Sequence, residues 1–161
     1  MKNYLSISIL ALLCLVASSP SKASLAINRD SSVIVVDDIR FETVRFTIDP
    51  ATHTAMVELT LTSRKANPRE LKINVYGTQL VDNERNAYYF STIALGRVLM
   101  RFEDKQNYLH YLLQPDTPAK LTITAEKISA AATAMQVVKI VFEDSTEEGR
   151  FLDAYLTGAA D

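Results

Sequence analysis

The chain has a single cysteine, Cys14, no tryptophan, only four glycines and only two histidines in 161 residues. Each scarcity excludes something. Cys14 lies inside MKNYLSISILALLCLVASSPSKA, which has a basic start at Lys2, an apolar run from Leu5 to Ala17, a breaker at Pro20, and small residues at Ser21 and Ala23. That is the layout of a secretory signal peptide cleaved after Ala23. The run of about 13 residues is too short to span a bilayer, which takes about 20. With the leader removed, residues 24–161 contain no cysteine. Disulfides, thiolate zinc sites and cysteine catalysis are thereby excluded, and the domain must hold together by burial alone. Lipid attachment at Cys14 is disfavoured, because Leu13 precedes it where a small residue is usual.

The glycines (Gly77, Gly96, Gly149, Gly158) are too scattered for a phosphate-cradling loop. Basic excess is lacking as well. The formal charge of −2 becomes −4 when Lys2 and Lys22 leave with the signal, which disfavours nucleic acid and anionic lipid as partners. His53 falls in the turn DPATHT and His110 in NYLHYLLQ, with no H-x-H or H-E-x-x-H spacing for zinc. No nucleophile-elbow pattern accompanies them either. Carboxylates pair up at Asp37-Asp38, Glu103-Asp104, Glu143-Asp144 and Glu147-Glu148, mostly at strand ends, where solvated charge is normal.

What the chain does have is a two-residue hydrophobic period. TAMVELTLTS (54–63) sets Ala55, Val57, Leu59 and Leu61 on one face. KLTITAEKI (120–128) does the same with Leu121, Ile123 and Ala125, and ELKINVY (70–76) with Leu71, Ile73 and Val75. Alternation with β-branched enrichment marks half-buried antiparallel strands. SVIVVD (32–37) is a continuous apolar run and reads as a strand covered on both sides. RFETVRFTID (40–49) loses phase near Thr43, as a β-bulge would produce. NYLHYLLQ (107–114) and QVVKIVFED (136–144) add further strands, and FLDAYL (151–156) reads as a strand or a short helix. Segment 92–106 has no clean period and reads as a crossover loop carrying a short strand. ISAAATAM (128–135) is consistent with one or two helical turns. Asp-, Asn- and Pro-rich turns separate these runs, so the expected fold is an all-β antiparallel sandwich of about seven to nine strands in one domain, 24–161, rather than a closed barrel.

GTQLVDNERNAYYF (77–90) carries two competing readings. Asp82, Glu84 and Asn86 match positions 1, 3 and 5 of a calcium loop, but Ala87 stands where that loop needs glycine and Ile93 where it needs glutamate. The hairpin reading accounts for more residues: strand to Val81, polar turn Asp82 to Asn86, strand from Ala87. Tyr88 and Phe90 then share one face and Tyr89 takes the other. No metal or other cofactor is expected.

The run 57–90, VELTLTSRKANPRELKINVYGTQLVDNERNAYYF, resembles the core of small bacterial extracytoplasmic immunoglobulin-like domains. Those show an apolar strand, a polar loop with Asn and often Pro, a second strand, and an L-V-D-x-x-G-N-x-Y hairpin. Here that hairpin runs from Leu80 to Tyr88, with Arg85 where glycine is usual. LLQPDTPAKLTIT (112–124) is similar to the proline-marked turn into a strand near the end of such domains. The resemblance implies an immunoglobulin-like sandwich with an adhesion, scaffolding or complex-subunit role and no catalysed reaction. The expectation is a periplasmic or extracellular protein-binding module whose partner is another envelope or extracellular protein. Its candidate partner surface is formed by Tyr89, Phe102, Tyr108 and Tyr111, since aromatics are enriched at binding hot spots. The alternative is a carrier holding a small apolar ligand between the sheets against Tyr88, Phe90, Leu109 and Leu113.

Overall fold

β3 (Thr54–Ser63) shows most directly how the pattern becomes structure. Its alternate residues Ala55, Val57, Leu59 and Leu61 are fully buried, while Met56, Thr60 and Thr62 on the other face are only half-buried. The computed structural model describes residues 32–158. The signal peptide expected at 1–23, its cleavage after Ala23 and the thiol of Cys14 lie outside the described residues.

The described chain is an all-β sandwich of two antiparallel sheets. Its elements are β1 (Val33–Val36), β2 (Ile39–Asp49), β3, β4 (Arg69–Asn74), β5 (Gln79–Asp82), β6 (Ala87–Tyr88), β7 (Thr92–Leu95), β8 (Val98–Arg101), β9 (Tyr108–Leu113), β10 (Ala119–Glu126), β11 (Met135–Glu143) and β12 (Phe151–Thr157). One sheet runs β1-β2-β3-β10-β7-β8. In the other, β11 pairs with β12 along one edge and with both β5 and β4 along its other edge, and β6 and β9 extend the sheet outward from β5 and β4.

The apolar faces meet between the sheets. Phe41 and Phe142 lie 5.4 Å apart at the ring centroids, among Leu59, Leu71, Ile93, Leu109, Leu121 and Ile140, all fully buried. Each such aliphatic side chain contributes about 1.5–3 kcal/mol of burial free energy, which is how a cysteine-free domain of this size holds together.

Local features follow from chemistry. β1 and β2 are joined by Asp37 and Asp38, both at positive φ (48° and 57°), as a tight two-residue hairpin turn requires. The expected bulge in β2 is present. The register against β3 shifts between Thr43 and Arg45, leaving Val44 unpaired and 54% exposed. On the outer face of that sheet, buried Glu58 of β3 is bracketed by Arg45 and Lys120. The hydrogen bond from Lys120 holds its carboxyl below the usual range, with burial opposing and Arg45 adding to the lowering.

Between β4 and β5 the chain steps along the edge of β11, and Thr78 fills the gap. Its buried hydroxyl accepts from the Val141 amide at 3.1 Å and donates to the Asn74 carbonyl at 2.9 Å. Gly77 passes so close that a Cβ would lie 3.0 Å from the Val141 side chain.

Several expectations need correction. Residues 32–37 are not covered on both sides: β1 is an edge strand, and Val33 and Val35 face solvent. Segment 92–106 is a hairpin, β7 and β8 around Gly96-Arg97, followed by one 3-10 turn at Phe102–Asp104. ISAAATAM forms no helix. It is a loop with a turn closed by the Ala132 amide on the Ser129 carbonyl at 3.0 Å. FLDAYL is a strand. The expected seven to nine strands become twelve among the described residues, because the aperiodic middle of the chain is paired rather than open.

Candidate functional site

Asp82 organises the stretch once matched to a calcium loop. It is fully buried, and its Oδ1 accepts from the amides of Glu84 (2.9 Å) and Asn86 (2.8 Å). Its Oδ2 accepts from the Asn86 side-chain amide (2.9 Å) and the Tyr88 hydroxyl (2.7 Å). Burial pushes this carboxyl up. The Tyr88 hydroxyl, the Asn86 side chain and the two amides outweigh it and leave the group below the usual aspartate range. Both oxygens are therefore engaged by the protein's own donors, and the stretch is a hairpin, β5–β6. Neighbouring Asn83 anchors the other side: its Oδ1 accepts from the amides of Thr133 (2.9 Å) and Ala134 (3.1 Å).

The four expected surface aromatics do not share one surface. Tyr89 is 52% and Phe102 47% exposed, and both line one cleft of about 460 Å³ with Ser91, Arg101, Glu126 and Lys127. The reason is local. As the chain crosses from β6 in one sheet to β7 in the other, Phe90 enters the core while Tyr89 turns outward, and the 3-10 turn that follows β8 sets Phe102 on Phe90, 5.7 Å between centroids. Tyr76, which the sequence reading did not single out, packs edge-on against Phe102 at 5.9 Å.

Tyr108 is elsewhere, on the outer face of β9, half-buried and stacked on Phe151 at 6.0 Å with Lys72 Nζ 4.7 Å above its ring. Tyr111 points the opposite way, packs against the core and sits beneath the β7–β8 turn at Gly96. Of the residues suggested for a carrier cavity, Leu109, Leu113 and Phe90 are packed within the core, and Tyr88 lies against it with its hydroxyl held by Asp82.

The cleft adjoins a free strand edge. β8 is the last strand of its sheet, and its register with β7 sets Leu95 opposite Val98, Ala94 opposite Leu99 and Thr92 opposite Arg101. Alternation across an antiparallel pair then turns the backbone N–H and C=O of Leu99 away from β7. The Arg101 amide also faces outward and is capped by Asp104 Oδ2 at 2.7 Å, whereas the Phe102 amide returns to the ladder on the Ser91 carbonyl at 3.0 Å. Leu99 is 55% exposed. Among the described residues, Arg97, Arg101, Lys105 and Lys127 form none of the ion pairs, which all involve other cations. A Gly-Arg pair flanked by TIAL and VLMR is the one sequence signal that could have revealed this hairpin.

The opposite end of the sandwich holds a charged cleft of about 480 Å³, with Lys65, Arg69, Lys72, Glu143 and Asp144 among its walls. Most of its charges are matched within the cleft, although Arg69 Nε is buried without a partner among the described residues. Arg69 donates to Asp37 Oδ2 at 2.9 Å, and Asp37 also accepts from the amide and hydroxyl of Ser145. Lys72 sits 2.9 Å from Glu143 and lowers its pKa, and Thr146 does the same for Asp144. Carboxyls held low in this way act as fixed anions rather than as proton donors at neutral pH. His110 is exposed beside Glu70, 2.7 Å from Nδ1 to Oε1, and His53 is exposed in the β2–β3 turn. No family model matches the chain, and no characterised protein matches it significantly in sequence.

Proposed function

We propose that this protein is a secreted, non-enzymatic binding module of immunoglobulin-like build. In this reading it works in the periplasm or at the cell surface and recognises another envelope or extracellular protein. The observation that carries the reading is the exposed pair Tyr89 and Phe102 on one cleft beside the free edge of β8. Rigid aromatics bring large contact area at low entropic cost, and a free edge adds backbone hydrogen bonds to a partner. The immunoglobulin-like assignment is supported by the pairing orders β2-β3-β10-β7 and β12-β11-β4, which parallel the four-stranded and three-stranded sheets of that fold.

The test is co-purification from the native envelope, with Tyr89→Ser/Phe102→Ser as comparison. The reading expects one protein to be recovered with the unaltered chain and lost with the double variant, while the variant, though less stable for the lost Phe90 and Tyr76 contacts, still melts as a folded domain. Recovery of an apolar small molecule in place of a protein, retained by the variant, would favour the carrier.

A further inference from the structure

The edge of β8 has a chemistry of its own. Leu99 presents its N–H and C=O outward, and its side chain lies on the outer face of the sheet. Arg97 and Arg101 stand two residues to either side, exposed and without an ion pair among the described residues. Because side chains repeat every second residue, Arg101 shares the face of Leu99, and Arg97 borders it at the turn.

This arrangement discriminates between occupants. Antiparallel pairing of two copies about Leu99 would set Arg97 of each against Arg101 of the other, and like charges directly opposed are destabilising. An incoming strand with carboxylates at those two positions would instead be matched at both. The Asp104 carboxylate already caps the Arg101 amide at 2.7 Å, so backbone pairing stops there and the occupant is short.

We infer that the β8 edge takes an extended segment of the form acidic-x-apolar-x-acidic as an added strand, with the apolar residue against Leu99 and the two carboxylates on Arg97 and Arg101. The inference rests on the binding-module reading above and specifies the partner chemistry. Beyond Arg101 the added chain meets the cleft where Tyr89 and Phe102 are exposed.

The test is a titration of the isotope-labelled protein with the end-capped peptide Thr-Glu-Thr-Val-Thr-Glu-Thr. Amide shifts are expected at Leu99 and its β7–β8 neighbours. Affinity should fall at least about tenfold in Arg97→Glu/Arg101→Glu and recover when lysines replace both peptide glutamates, as close charge pairs allow. An N-methylated central valine should abolish binding, because strand addition uses that backbone. Absence of binding at millimolar peptide overturns the inference. So does equal binding of the lysine peptide to the unaltered protein, or retention of the N-methylated peptide. An envelope protein captured through Tyr89 and Phe102 that the acidic peptide fails to displace would overturn this inference while leaving the module reading in place.

Discussion

The Tyr88 hydroxyl donates to Asp82 Oδ2 at 2.7 Å and accepts from the Ser129 amide at 3.1 Å, so one phenol joins the β5–β6 hairpin to the loop before β11. Hydrogen bonds to a charged, buried acceptor are stronger than neutral ones. Tyr88→Phe should cost about 1–2 kcal/mol, and Asp82→Asn about 2–3 kcal/mol, because all four donors lose a charged acceptor and the Asn86 side chain and Tyr88 hydroxyl meet an NH2 in place of an oxygen. Chemical denaturation measures both. Costs that simply add in the double variant would show that the two residues do not act as one unit.

Asp82 also predicts a pH dependence. Its pKa is lower in the folded protein than in the unfolded chain, so its contribution is fully present above the unfolded value and is lost as pH falls through the folded value. Asp37 shifts in the same direction: burial raises it, but the Ser145 hydrogen bonds and Arg69 lower it further. Stability should therefore fall below about pH 4, and less steeply in Asp82→Asn. An identical acid slope in the variant would assign the effect to other carboxylates.

Arg85 occupies the left-handed region, φ 67°, at the position where the resembled hairpin pattern has glycine. A non-glycine residue there costs about 1–2 kcal/mol, partly offset by the extra unfolded-state freedom of glycine. Arg85→Gly should be neutral or stabilising by up to about 1 kcal/mol, and Arg85→Val destabilising. Thermal melts of the two variants give the sign directly, and a less stable Arg85→Gly protein would refute the strain argument.

Thr78→Val keeps the shape of the side chain and removes the hydroxyl that serves the Val141 amide. A buried N–H left without an acceptor costs about 1–3 kcal/mol. Hydrogen exchange should quicken at Val141 beyond the change at Ile140 or Phe142. Uniform acceleration along β11 would mean global destabilisation only.

Gly96 lies at φ 56°, and a Cβ there would come within 2.6 Å of the Tyr111 hydroxyl oxygen. Gly96→Ala should lose more than about 1 kcal/mol and displace Tyr111, detectable as a shift of its ring resonances. If the ring stays in place, the backbone conformation alone accounts for the loss.

The sequence by itself determined the strands whose alternation is unbroken. In β3, β4 and β10, one face must leave water whatever the rest of the chain does, so Leu59, Ile73 and Ile123 were legible as core. The β2 bulge was legible too, because one extra residue shifts the phase of every later side chain. The sequence also sufficed to read Asp82–Asn86 as a turn. Tertiary structure alone decided the edges and the partnerships. Val33 and Val35 are as apolar as core residues and are exposed because they point to the outer face of the β1 sheet, opposite Ile34 and Val36, which pack toward the core. Tyr108 and Tyr111 are close neighbours in sequence, yet one stacks outside on Phe151 and the other packs inward beneath Gly96. β7 and β8 are too short to show a period. Their hairpin is fixed in the sheet by non-local hydrogen bonds to β10, such as Gly96 to the Lys120 carbonyl, and those exist only once the chain has closed on itself. For the same reason Tyr89 and Phe102, thirteen residues apart in the chain, become walls of one cleft only in the folded sandwich.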